Sequence, residues 1–138
     1  WLQIIVDLTT LEKCGKFKAF EHLIQVLHGK RGLHVVILYL VVGPWRCPWG
    51  FRVWRGKGSR SPVLLALRLI DTLPQSLTRA CRLMVLADTD FGSVSFLKGV
   101  RKRRFSTTVG VCGSRCLSDG RQLRHLCHQG QQVYLKDF

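Results

Sequence analysis

Short β-branched apolar runs and two stretches of helical spacing alternate along the chain. Leu2 to Asp7 (LQIIVD) is apolar, closes on a carboxylate and predicts a buried strand. Residues 8–22 are polar and mixed, with a turn around Lys13 to Lys16. Leu23 to Leu27 fits a second strand, although the window is also compatible with a helix. His28 to Gly32 carries two glycines and reads as a turn, and Leu33 to Val42 is the third strand. The prolines and glycines from Gly43 to Gly58 predict a turn followed by an edge strand around residues 51–55.

Ser61-Pro62 is a helix start, a capping hydroxyl followed by Pro at the first helical position. That helix should run to about Leu73, with Val63, Leu64, Leu67 and Ile70 on its apolar face. Arg82 to Asp88 (RLMVLAD) is again an apolar strand ending on an acid. Ser93 should cap a helix over 94–104, with Val94, Leu97 and Val100 on one side. Ser106 to Val111 is a further strand. A short helix or loop and a last strand near Val133 to Leu135 complete the reading. Antiparallel hairpins followed by βαβ units imply an α/β fold, a mixed sheet with helices packed on it.

At 138 residues the chain is one domain's worth of polypeptide. The run Leu33 to Val42 is about half of the roughly 20 apolar residues a membrane helix needs, so no membrane role is expected. Trp1 is not an initiator Met, and no basic segment precedes an apolar one as in a signal peptide. Charge changes the picture most. Lys and Arg number 22 against 8 Asp and Glu, a net +14 that favours a polyanion: DNA, RNA or an anionic membrane surface.

Cys14, Cys47, Cys81, Cys112, Cys116 and Cys127 are irregularly spaced. They read as reduced thiols, several of them small core residues. A zinc site from Cys112, Cys116, His125, Cys127 and His128 is the alternative, but His-x-Cys-His lacks a zinc-finger ligand gap. His22, His28, His34, His125 and His128 accompany no G-x-S-x-G or similar nucleophile setting, and a satisfied surface or core role suits them.

With so few acids, placement is informative. Asp7 and Asp88 both stand at the C-terminal end of an apolar strand. If those strands are parallel neighbours, roughly 4.8 Å apart, the two carboxylates could share Mg²⁺ or Mn²⁺. Such sites activate water or a 3′-hydroxyl in phosphodiester cleavage. The plainer alternative is that each Asp starts a turn or caps the next helix.

The segment Ile4-Ile5-Val6-Asp7-Leu8-Thr9-Thr10-Leu11-Glu12-Lys13 resembles the first-acid motif of IS4-type insertion-sequence transposases. Val85-Leu86-Ala87-Asp88-Thr89-Asp90-Phe91-Gly92-Ser93 resembles their second-acid motif. Gly29 to His34, Phe51 to Gly58 and Gly130 to Leu135 are similar to bacterial, especially cyanobacterial, members. The resemblance implies a ribonuclease-H-like fold with Asp7 and Asp88 as the first two acids of a DDE site, holding Mg²⁺ or Mn²⁺. It implies a cytoplasmic, nucleoid-associated protein acting on double-stranded DNA at insertion-sequence ends, with a homodimer on DNA as an allowed assembly. Asp90 departs from the small residue expected there. The third acid, a Glu on a later helix, has no counterpart, because no Glu follows Glu21. Residues 1–138 therefore read as part of a transposase catalytic domain, truncated at both ends. A non-catalytic basic DNA-binding remnant of a decayed gene is the second reading, and a ribonuclease-H-like nuclease of another kind the third.

Two basic features add candidate DNA contacts. Trp45 to Lys57 interleaves Trp45, Trp49, Phe51 and Trp54 with Arg46, Arg52, Arg55 and Lys57, as a strand-loop lying along DNA would. The aromatics could equally pack a sheet edge. Arg101, Lys102, Arg103 and Arg104 end a helix, where cations suit the dipole, and phosphate contact is the second option. Lys13, near Asp7, is a further candidate.

Overall fold

The computed structural model describes residues 1–15 and 19–127. Its elements are β1 (Leu2–Glu12), β2 (Ile24–Leu27), β3 (Lys30–Val42), β4 (Trp45–Val53), α1 (Pro62–Ile70), α2 (Gln75–Ala80), β5 (Leu83–Ala87), α3 (Val94–Lys102), β6 (Ser106–Val109) and α4 (Leu123–Cys127). The expected strand over Val133 to Leu135 lies outside the described residues.

The strands form one six-stranded mixed sheet in the order β2-β3-β1-β5-β6, with β4 also on β3. β1 pairs antiparallel with β3 along nearly its full length. The other edge of β3 is therefore shared end to end: β2 takes Lys30 to Leu33 and β4 takes Val35 to Val42. β5 joins β1 in parallel, and β6 joins β5 in parallel, each through helical crossovers. This is the mixed α/β architecture the pattern predicts, and it is ribonuclease-H-like.

One face of the sheet supplies the core. Ile4, Val6, Val36, Leu38 and Val85 are fully or almost fully buried beneath Ala66, Leu67 and Ile70 of α1 and Phe96 and Val100 of α3. Both helices start as their sequences require. Ser61 Oγ accepts from the Leu64 N–H ahead of Pro62, and Ser93 Oγ accepts from the Phe96 N–H, each at 3.3 Å. Gly99 lets α3 sit against Leu67 of α1, where any side chain would collide.

Several expectations need correction. β1 does not stop at Asp7. Its pairing with β5 stops at Val6, while its pairing with β3 continues to Glu12. β4 begins at Trp45 rather than 51, because an edge strand tolerates Pro48: the register slips there, with Leu38 opposite Gly50 but Tyr39 opposite Pro48. Leu64 and Val94 are exposed, and the helix faces turn toward Ala66 and Ile70, and Phe96 and Val100, instead. α1 stops at Ile70, short of the expected Leu73, and Pro74 is the N-cap of a further helix, α2, rather than the end of α1. Cys14, Cys47, Cys81, Cys112 and Cys116 are all exposed, not core residues.

His34 is the buried polar residue of the sheet. Its Nε2–H donates to the Gln25 carbonyl at 3.0 Å, so Nδ1 accepts the Thr10 hydroxyl at 2.8 Å. Trp54 packs edge-on against it, 5.7 Å between centroids. With both nitrogens satisfied, this histidine is structural.

Candidate functional site

The register decides where the acids go. Val6 and Ala87 are the last paired residues of β1 and β5, and Asp7 and Asp88 follow immediately on neighbouring parallel strands. Because Ile4, Val6 and Val85 face the core, alternation turns Asp7 and Asp88 to the opposite face, level with each other at one rim. Strand spacing sets their backbones roughly 5 Å apart.

Electrostatics records the proximity. The Asp88 carboxyl is raised above its usual range, first by desolvation and then by the negative charges of Asp90 and Asp7, against the lowering effect of the Asp90 and Phe91 N–H groups. Asp7 Oδ2 accepts the Thr9 hydroxyl at 2.8 Å, and Asp88 Oδ1 accepts the Asp90 N–H at 3.0 Å. Asp88 also caps the 3-10 turn Thr89–Phe91, so the turn-capping role and the rim position coexist in one residue.

The turn after Asp88 is held by residues the sequence reading passed over. Phe91 is fully buried against Phe96, 5.3 Å between rings. Gly92 and Gly110 let this turn pack onto the end of β6: a Cβ on Gly92 would strike the Gly110 carbonyl, and one on Gly110 would press the Thr89 backbone. The Gly110 N–H donates to the Ala87 carbonyl at 3.1 Å. Thr9 was legible, two residues beyond Asp7 on the same strand face. The glycine contacts were not, since they join segments far apart in the chain.

No third acid converges. Among the described residues no group of three His, Cys, Asp or Glu side chains could hold a metal, so neither a carboxylate triad nor a zinc cluster is formed there. His128 and the side chain of Cys127, both members of the zinc alternative, lie outside what is described. Asp71, Asp119 and Glu12 are committed to Arg103, Arg121 and Lys30. Asp90 points its charge at Asp88 but lines a separate small cavity with Leu8, Thr10 and Lys30. The two carboxylates fit a hard cation in donor chemistry, since Mg²⁺ characteristically takes one or two carboxylates and fills its octahedron with water and phosphate oxygens.

The candidate DNA contacts separate into two ends. β4 runs in the same direction as β1, so Arg52, Arg55 and Lys57 lie at the carboxylate end. Arg46 faces Val41, which faces Gln3, and lies at the other. α3 runs back against the strands, and its basic end meets the starts of β1, β5 and β6. Arg103 and Arg104 share a cavity there with Trp1, Leu83 and Ser106. Arg101 to Arg104 follow the second acid by a single helix in sequence, and the crossover geometry carries them to the opposite end of the sheet. Arg103 is also held internally, bidentate to Asp71 at 2.6 Å and to the Gly99 carbonyl at 2.7 Å. Its guanidinium is raised further by that pairing. Arg31 Nη1 donates to the Lys13 carbonyl at 3.4 Å, fixing that segment beside β3. Trp54 is buried and cannot stack on a base, whereas Trp45 and Phe51 are exposed. Trp49 is tied to Thr72 through its indole N–H.

No family model matches the chain, and no curated protein matches it. Among solved structures it is similar to a piggyBac transposase in a synaptic complex with hairpin DNA, with a TM-score of 0.50 and 15% identity. The match covers 82% of this chain and 23% of that one, a likeness of fold. No helix of the described residues is long and apolar enough to cross a membrane.

Proposed function

We propose that this chain is part of a transposase of the IS4 type, binding DNA at one end of its sheet and a divalent cation between Asp7 and Asp88. The observation that carries the reading is the juxtaposition of those acids, one residue past the last parallel pair of β1 and β5. The transposase-like fold and the net charge of +14 support it. Mg²⁺ or Mn²⁺, held by Asp7 and Asp88, would supply activation of an attacking oxygen and charge neutralisation at the scissile phosphate. Thr9 orients Asp7, the Thr89–Phe91 turn orients Asp88, and the mutual repulsion of the acids is relieved when a cation is held.

Two acids make an incomplete set for DNA strand transfer. The absence of a convergent third acid among the described residues favours a second reading for this chain by itself, a non-catalytic DNA-binding remnant. Mn²⁺ titration followed by electron paramagnetic resonance, beside a plasmid-nicking assay, separates the readings. Weak Mn²⁺ binding lost in both Asp7→Asn and Asp88→Asn is expected, by more than the roughly 10–100-fold typical of losing a merely supporting residue. Nicking that disappears in both variants makes the chain a metal-dependent enzyme. Binding without nicking makes it the remnant. Metal binding that survives both substitutions discards the site.

A further inference from the structure

A cleft of about 810 Å³ opens where the end of β4, the turn after it and α1 meet. Arg52 and Arg55 line one side, Arg60 and Arg68 the other, and the lining contains no acid. None of the four guanidiniums is in an ion pair among the described residues. Four like charges gathered without a counter-charge favour an anionic occupant.

The cleft's shape is built in. Gly56 and Gly58 adopt φ of +92° and +86°, a left-handed backbone that suits glycine. The Ser59 hydroxyl and N–H both return to the Gly56 carbonyl, at 2.7 and 3.2 Å. This closed turn delivers Arg60 to the start of α1, and Arg68 lies two turns further on, roughly 10 Å along the axis. Phe51, 64% exposed, borders the cleft at the edge strand; alternation turns it to the opposite face of β4 from Arg52, beside Ile37.

We propose that this cleft binds single-stranded DNA, the arginines tracking successive phosphates and Phe51 receiving a base. A positive groove with an exposed aromatic at its edge is the arrangement that takes splayed single strands rather than a stacked duplex. Arg60 and Arg68, roughly 10 Å apart along α1, are far enough apart to meet different phosphates of one strand. The choice of DNA rests on the transposase reading; the cleft does not use the carboxylates. It stands at their end of the sheet, with Arg52 two strands from β1 through Val36, a separation of roughly 10 Å.

The test is fluorescence anisotropy of a labelled single-stranded 12-mer, against the same sequence as duplex, in EDTA over a series of salt concentrations. EDTA removes any contribution from metal at Asp7 and Asp88. The single strand should bind more tightly than the duplex. The double variant Arg60→Gln/Arg68→Gln should lower the salt slope by about 1.4, two phosphates at about 0.7 each. Phe51→Ala should weaken single-strand binding roughly fivefold or more. All three residues are exposed, and circular dichroism verifies that the variants fold. A duplex preference, or a salt slope unchanged in the double variant, overturns the proposal. If Asp7 and Asp88 bind no Mn²⁺ while these shifts are seen, the cleft stands and the metal reading falls.

Discussion

The two ends of the sheet are both basic, yet their cations do different work. At the carboxylate end, Arg52, Arg55, Arg60 and Arg68 line an open cleft and pair with no acid among the described residues. At the opposite end, Arg103 grips Asp71 through two hydrogen bonds and ties the end of α3 to the end of α1, and Arg82 lies over the Trp1 ring. One set of charges is left available for a partner, and the other is partly consumed by the fold. The difference teaches that a run of basic residues says little about binding until its helix has been given a direction. Arg101 to Arg104 follow Asp88 closely in sequence, but α3 carries them about 14 Å back along the strands, at 1.5 Å per residue.

The largest effect that would sharpen this contrast is structural. Gly110→Ala should press the Thr89 backbone and push the turn that orients Asp88, costing about 1–3 kcal/mol in a well-packed contact. Thermal denaturation should show the loss, and Mn²⁺ binding should weaken with it. Next in size is a charge exchange between ends. Removing Arg52, Arg55 and Lys57 together, as Gln variants, should lower DNA affinity roughly tenfold or more at physiological salt. The triple variant Arg101→Gln/Lys102→Gln/Arg104→Gln should lower it far less. Equal losses would erase the distinction between the ends.

Smaller still is the internal ion pair. Asp71→Asn should cost about 1 kcal/mol or less in stability, because the carboxylate side of the pair is half-exposed, and should leave DNA affinity unchanged. The smallest effect concerns acid. Folding raises the Asp88 pKa, so the folded state is relatively favoured while this group is protonated. That contribution is present below the unfolded pKa and is lost as pH rises through the folded one. Asp88→Asn keeps an oxygen for the Asp90 N–H and removes the titration. Between about pH 3 and 7 the wild-type midpoint should fall relative to the variant by no more than a few degrees. A rise instead would mean that Asp88 is held by a cation, outweighing its desolvation and the neighbouring negative charges.

Local signals carried much of this molecule. Ser61-Pro62 and Ser93 start their helices because a capping hydroxyl acts within one turn of chain. The short apolar runs Leu2 to Val6 and Leu83 to Ala87 mark strands because bounded runs of about five residues are too short for a helix and fit a strand buried in a sheet. The same runs bring attention to Asp7 and Asp88, since each closes on a carboxylate.

What the sequence by itself determined, then, is the kind of fold, most of the strands, and the two acids worth watching. The tertiary structure alone decided that β1 runs on past Asp7, that the acids lie side by side on one face, and that Gly92 and Gly110 close the turn beside them. It also decided that Arg60 and Arg68 join Arg52 and Arg55 in one cleft while Arg101 to Arg104 go to the far end. The physical reason is range. Caps and periodicity act between residues a few positions apart, whereas strand register, crossover direction and the meeting of charges depend on segments that only the folded chain brings together.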